Sequence, residues 1–322
     1  MICGIRQTAC RSSLHLSAAT GLSTNNLVRK MHACETMVTE FTELQGEMGK
    51  EYALLDGEKP NVAQAIFEQY MPRFAGDILP KESIGRALSL ADKLDNLAAT
   101  FLRGLIPTGS QDPFALRRQT IGAVNILVDG KIHWDIRRGI AKALELLPGK
   151  EDTKKTVLSQ VEDFFRQRIR AILLDDGIEY DIIDAVLAGP VDDIYAIFLK
   201  AQAMTASHLK EETNLRQAVT RLANITKGKE GGDVNPALFE EDAEKNLEAA
   251  LEKAMASVEP LYKEYRYADA LPYLKELTQP INDYLDNVMV MVKDEAVKNN
   301  RIAQLKKTLA FFDGWGDFSK LV

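Results

Sequence analysis

The sequence predicts an all-α protein, and three observations carry that expectation. Glycine and proline are scarce, at 20 and 11 of 322 residues, while the good helix formers Leu, Ala, Glu and Lys abound. Strands of alternating polarity are hard to find. The stretch from Ser83 to Arg118 reads as an apolar helix broken by a loop and restarted. In it Ile84, Ala87, Leu88, Ala91, Leu94, Ala98, Phe101, Leu102 and Leu105 keep the three-and-four spacing that lines one helical face. Ser83 is the natural N-cap. Pro107, Gly109 and Asp112-Pro113 then stop the helix, and Asp112 is placed to cap a second one with Pro113 at its first position.

Taken in order, Met1 to Lys30 holds no acidic residue and several Ser, Thr and Arg. Organellar transit peptides share that composition, but a diverged loop and helix start explains it as well. Ala63, Ile66, Phe67 and Tyr70 share a face, predicting a helix over Val62 to Tyr70 that Pro72 closes, with Arg73 at its end. After the central stretch, Phe114 to Leu127 continues as a helix. DGKIHWD is a turn into a helix from Ile136 to Leu147, which Pro148-Gly149 stops. That turn divides an expected domain of residues 1–150 from one of residues 151–322. Thr153 to Leu174 should form a long amphipathic helix with Val157, Val161, Phe164, Phe165, Ile169 and Ile172 inward. Arg166, Arg168 and Arg170, spaced by two, scatter around it as separate surface residues. Further helices are expected over Tyr180 to Leu187, Ile194 to Met204 and Leu209 to Ile225. KGKEGGDVNP reads as an exposed loop. Phe239 to Tyr262, Tyr267 to Leu277, Pro280 to Val292 and Ala296 to Phe312 complete the set, with Val288 to Val292 read as core. Gly314 to Gly316 interrupts the last helix, leaving Trp315 to fill core or stack.

Composition narrows the function classes. A hydrophobic content of 46% suffices for two cores. The net charge of -7 argues against a protein that grips nucleic acid over its whole surface. Residues 1–150 carry 18 Lys and Arg against 16 Asp and Glu, and the remainder 22 against 31, so any nucleic-acid contact must be local. Cys3, Cys10 and Cys34 contain no CxxC pair, which fits a reducing compartment without disulfides or structural zinc. No apolar run is long enough to span a bilayer.

Three separated segments, EQYMPRFAGD at 68–77, ADKLDNL at 91–97 and IPTGSQDPFALRR at 106–118, resemble the C-terminal half of the bacterial glycyl-tRNA synthetase beta subunit. MVTEFTELQGEMGKEYALLDGE, RIRAILLDDGIEYDIIDAVLA and DNVMVMVKDEAVKNNRIAQL extend the resemblance from about Met37 to Val322. It implies an HD-like helical domain followed by a helical-bundle, DALR-like anticodon-binding domain. It further implies a cytoplasmic ligase accessory that binds tRNA(Gly) beside a separate alpha subunit in an alpha2beta2 enzyme, with no membrane or DNA partner. ATP and Mg serve the whole enzyme, and no cofactor is expected on this chain. The family's N-terminal domains have no counterpart here, so the chain is expected to be a fragment or truncated frame of the subunit.

An HD phosphohydrolase holds metal with a His, an adjacent His-Asp pair and a later Asp. Here His15, His32, His133 and His208 are followed by Leu, Ala, Trp and Leu, so no His-Asp pair exists. Asp92 stands where the final acid would be and reads as a structural carboxylate; no catalytic residue and no metal site are expected. There is no GxSxG, P-loop or GxGxxG, and Cys34 near His32 carries no catalytic signature. The candidate tRNA contacts are Arg73, Lys93, Arg117 and Arg118 in the first domain, the arginine pair because it follows a Gly-bearing loop at a helix start. In the last domain they are Asn287, Asn300 and Arg301, whose planar amide and guanidinium groups, like those of Asn299, can read base edges, together with the cation Lys298. Arg301 is expected to share an exposed face with Lys298. A metal-dependent phosphohydrolase and a non-catalytic helical scaffold are the alternatives.

Overall fold

The computed structural model describes residues 40–321. The segment Met1–Lys30, the three cysteines, His15 and His32 lie outside the described residues. Among the described residues the secondary structure is helical, without a β-strand. The chain divides into two compact units, one running to Ala171 and including Val191–Tyr195, the other comprising Ile172–Pro190 and the chain from Ala196 on.

The first unit contains α1 (Glu47–Leu55), α2 (Pro60–Glu68), α3 (Ser83–Leu102), α4 (Leu116–Asp129), α5 (Ile136–Glu145) and most of α6 (Glu151–Asp175). Helix α3 packs against α2, α4 and α5, burying Leu88, Leu94, Leu97 and Phe101. Each such side chain removed from water contributes roughly 1.5–3 kcal/mol before entropy is charged. The cap of α3 differs from expectation. Ser83 lies inside the helix without a capping bond, and the Glu68 carboxylate of α2 instead accepts the N–H groups of Lys81 (3.2 Å) and Glu82 (3.1 Å). Its approach depends on Gly85, where a Cβ would meet Glu68 Oε2 at 1.9 Å. Ala87 is exposed and Ala91 half-buried rather than inward. They line a groove of about 580 Å³ walled by Trp134.

Asp112 does not stand at the cap position with Pro113 opening the helix, since the helix begins at Leu116, but its carboxylate reaches forward to accept from Leu116 N (2.8 Å) and Arg117 N (3.0 Å). The helix starts at Leu116 rather than Phe114 because Ala115 takes a left-handed turn, φ 52°. Val157, Val161, Phe164, Phe165 and Ile169 of α6 are buried, and Phe164 meets Phe101 edge-on at 5.3 Å. Near its end Leu173, not Ile172, is the fully buried residue.

The second unit is built from α7 (Tyr180–Val186), α8 (Ile194–Ala206), α9 (Thr213–Thr226), α10 (Asp242–Lys263), α11 (Tyr267–Glu276), α12 (Thr278–Asn287) and α13 (Glu295–Asp313). Helix α13 packs on α9 and α10, and α12 on the same two. After Gly314 closes α13, Trp315 is 1% exposed and packs edge-on to Tyr267 at 5.5 Å, so it fills core. Gly316 lies against Ala185, whose carbonyl a Cβ would meet at 2.6 Å, and Asp317 N donates to that carbonyl at 3.0 Å. Helix α12 ends at Asn287, short of the expected Val292. The following residues run extended: Val288 and Val290 point into the core, while Met289 is 73% and Met291 59% exposed. The strict alternation of VMVMV is the period of an extended segment, which explains why only half of it is core.

Candidate nucleic-acid interface

In the first unit the structure gathers arginines. Asp112 holds the start of α4, so Arg117 and Arg118 leave its first turn beside the 104–113 loop; Arg117 donates to Gly109 O at 2.6 Å. Arg118 Nη1 donates to the carbonyl of Arg73 at 3.1 Å. Arg73 is itself held by Asp77, which accepts its backbone N–H at 2.8 Å and its Nε at 3.0 Å. Arg168 of α6 joins this set. It stacks on Phe164, 4.2 Å from the ring centroid, and its buried Nε has no hydrogen-bond partner. Burial first, and the charge of Arg117 second, hold the Arg168 guanidinium below its ordinary pKa, with Asp112 pulling the other way. Sequence spacing dismissed Arg168 because its neighbourhood is a tertiary one, with Arg117 fifty-one positions away. Like charges brought together with donors outstanding are suited to an anion such as a phosphate.

Lys93 does not belong to that surface. It is 4% exposed and its Nζ donates to Met71 O at 2.8 Å and Ser89 Oγ at 2.7 Å. Burial lowers its pKa to about 8, against the pull of Asp92. Burial likewise raises the Asp92 carboxyl, opposed by Lys93 and by a hydrogen bond from Gln69. Asp92 thus sits in a polar seam of α3, also within reach of Asn96 Nδ2 at 3.4 Å. Among the described residues no cluster of three or more His, Cys, Asp or Glu could hold a metal ion.

In the second unit the expected exposed face of Arg301 is overturned. Arg301 is 3% exposed and Glu244, on α10, is 0% exposed. The guanidinium donates to Glu244 through Nε (3.0 Å) and Nη2 (3.2 Å), to Glu240 (3.0 Å) and to Met289 O (3.0 Å). Burial alone would raise the Glu244 carboxyl. The Arg301 bonds and the N–H groups of Glu240 and Glu241 outweigh it and leave the pKa below the ordinary value. Gln304 continues the seam, donating to Glu244 O at 2.8 Å and to Glu248 at 3.1 Å. Arg301 therefore ties α13 to α10, and Lys298, half-buried and paired with Glu295 at 2.6 Å, faces elsewhere.

Asn287 is exposed at the end of α12, donating to Asp283 O at 2.8 Å. Lys298 and Asn300 line a pocket of about 570 Å³ with Lys229, Asn235, Met291 and Asn299, between the glycine-bearing 228–235 loop and the first turns of α13. Asn300 is 4% exposed. Its Oδ1 accepts the backbone N–H of Asn235 at 2.6 Å, which orients the amide and leaves Nδ2 without an acceptor.

Comparison with known proteins finds two family models along the chain. A family model described as glycyl-tRNA synthetase beta subunit matches residues 9–188. A second, described as the DALR anticodon binding domain, matches residues 215–313, the stretch from α9 to α13 that includes the pocket. The chain is 43% identical over 304 residues to the glycine–tRNA ligase beta subunit of Desulforamulus reducens, covering 92% of this chain and 43% of that protein. It is 42% identical over 287 residues to that of Clostridioides difficile (89% and 42%) and 40% identical over 313 residues to that of Halothermothrix orenii (95% and 44%). The chain spans less than half the length of these curated relatives. With its all-helical units and a family model covering more than half its length, this chain belongs to the glycyl-tRNA synthetase beta subunit family.

Proposed function

We propose that the chain binds tRNA(Gly) and supports attachment of glycine to it by an enzyme completed by a separate alpha subunit. The observation that carries this reading is the match of an anticodon-binding domain to the unit that holds an open polar pocket. The arginine set of the first unit supplies backbone contacts. Arg118 is its exposed member, and Arg73, Arg117 and Arg168 retain donors beyond their internal bonds. Phosphate contacts position an RNA and base contacts specify it. On a chain of net charge -7, a local cationic set binds without a generally attractive surface.

The proposal keeps the division into a first domain, HD-like in fold, over 1–150 and an anticodon-binding domain with its helical lead-in over 151–322. It places the chain in the cytoplasm and assigns ATP and Mg to the whole enzyme, with no cofactor on this chain. Among the described residues no helix is long and apolar enough to cross a membrane. The test is filter binding of transcribed tRNA(Gly) across a salt series. The expected result is an affinity that falls linearly in log–log form, by about 0.9 per neutralised phosphate of duplex. Equal, salt-insensitive retention of tRNA and no RNA preference over DNA would overturn it in favour of the scaffold.

A further inference from the structure

We infer that the apolar groove between α3 and α5 seats an amphipathic helix of a partner protein, one whose apolar ridge is flanked by carboxylates. The groove measures about 580 Å³, within the range of pockets that take ligands. Leu90, Leu94 and Leu146 line it with Trp134, and the short side chains of Ala87 and Ala91 keep its α3 side open. Helix α3 contributes from Arg86 to Leu94, about 12 Å at the rise of a helix, or two turns. Trp134 is held at the edge. Its indole lies against Gly139, where a Cβ would meet Trp134 Cη2 at 2.3 Å, so the missing side chain is what lets the ring settle on α5. The ring is still 38% exposed. A large aromatic side chain fixed in place beside a concave apolar surface is the make-up of an interface anchor.

The charges around the groove select the occupant. Lys81, Arg86 and Lys142 line it and no acidic residue does, on a chain whose net charge is -7. The Lys81 ammonium has no hydrogen-bond or ion-pair partner among the described residues. Arg86 donates from Nε to Pro80 O at 2.9 Å and from Nη2 to Asp129 at 3.2 Å, and Lys142 pairs with Glu145 at 2.8 Å. Asp129 and Glu145 are each more than half exposed, and surface pairs of that kind are readily exchanged. Two turns of apolar wall bounded by cations match a helix with apolar residues at i, i+3, i+4 and i+7 and with Asp or Glu beside them. A basic helix would meet like charge. A second copy of the chain laid groove to groove would do the same, since a two-fold contact sets each patch against itself. Neither Asp92 nor the arginine set of the first unit lines the groove, so it is separate from the nucleic-acid surface.

The test uses the full chain, whose two tryptophans differ in burial: Trp134 is 38% exposed and Trp315 1%. The probe is a cross-linked helical peptide of about three turns, with leucines at i, i+3, i+4 and i+7 and glutamates on both flanks. Its twin carries lysines in place of the glutamates. The acidic peptide is expected to shift tryptophan emission to the blue saturably, and to bind about tenfold or more tighter than the twin at low salt. Lys81→Glu combined with Lys142→Glu, both at exposed positions, should invert that preference. Ala87→Glu, on the exposed face of α3, should weaken the acidic peptide at an unchanged melting temperature. No shift, a shift that survives Trp134→Phe, equal affinity for the two peptides, or a preference untouched by the double reversal would overturn the inference. Two other occupants would overturn it as well. Decanoate shifting the emission where the acidic peptide does not would mark a small-amphiphile pocket, and emission that moves with protein concentration alone would mark a contact between copies.

Discussion

Arg301 shows how much one buried side chain decides. Its guanidinium has three acceptors, and the Glu244 carboxylate beneath it has no exposure. Arg301→Met would leave that carboxylate buried and unpaired, which should cost about 3–5 kcal/mol in urea unfolding. Arg301→Lys keeps the charge but loses the fork, so it should destabilise less and, under the proposed function, leave the relative affinities of the folded protein for tRNAs of different anticodon unchanged. The pH dependence has a definite sign. Because the folded pKa of Glu244 is depressed, the pair's contribution is present above the ordinary glutamate range and is lost as pH falls through the lower folded value. The acid limb of a stability curve should therefore flatten in Arg301→Met. Lys93 behaves oppositely. With a folded pKa of about 8 against an ordinary 10.5, the folded chain binds fewer protons than the unfolded one between those values. Stability should rise with pH across that window, by about 3 kcal/mol. Denaturation midpoints measured from pH 7.5 to 10.5 should show the rise in the wild type and lose it in Lys93→Met.

At the scale of elements, the joint between α2 and α3 gives a test that reverses the usual rule. Replacing glycine by alanine within a helix normally stabilises by about 0.5–1 kcal/mol. Gly85→Ala should instead destabilise, by about 1–3 kcal/mol. Its Cβ would fall 1.9 Å from Glu68 Oε2 and 2.6 Å from Glu68 Cβ, displacing the carboxylate that holds the N–H groups of Lys81 and Glu82. Chemical denaturation of Gly85→Ala alone and with Glu68→Ala should give a smaller penalty in the second background. Much of this level was legible in the chain. The helix opening at Ser83, the acceptance of the next helix's first N–H groups by Asp112 and the stop at Gly314 follow from local spacing and backbone chemistry, whereas the first helix ends at Leu102 and leaves Leu105, expected on its inner face, 47% exposed. The end of α12 was misread because methionine and valine suit a helix face as well as an extended run. Only the burial of Val288 and Val290 beside exposed methionines separates the two.

For the whole molecule, a net charge of -7 leaves the proposed tRNA contact to the local arginine set. Arg118→Ala and Arg168→Ala should each weaken tRNA binding across sequences and reduce the salt slope by about 1, while Asn287→Ala should leave that slope unchanged. Filter binding at several salt concentrations separates these outcomes; an unaltered slope in both arginine variants would remove the first-unit cluster from the interface.

What the sequence determined by itself is the class of the molecule. Helical periodicity, scarce glycine and proline, and the segments resembling the beta subunit family are local or composition-borne features, and they survive any arrangement of the helices. Which polar groups are spent inside was decided by tertiary structure alone. Asn300 and Arg301 look on paper no different from their neighbours Lys298 and Asn299, yet one helical turn distributes such residues over every direction. Whether a given guanidinium meets Glu244 or solvent depends on α10, some sixty positions earlier in the chain. The same physics joined Arg168 to Arg117: a cluster made by packing leaves no periodic mark in the chain, because its members share a place and not a spacing.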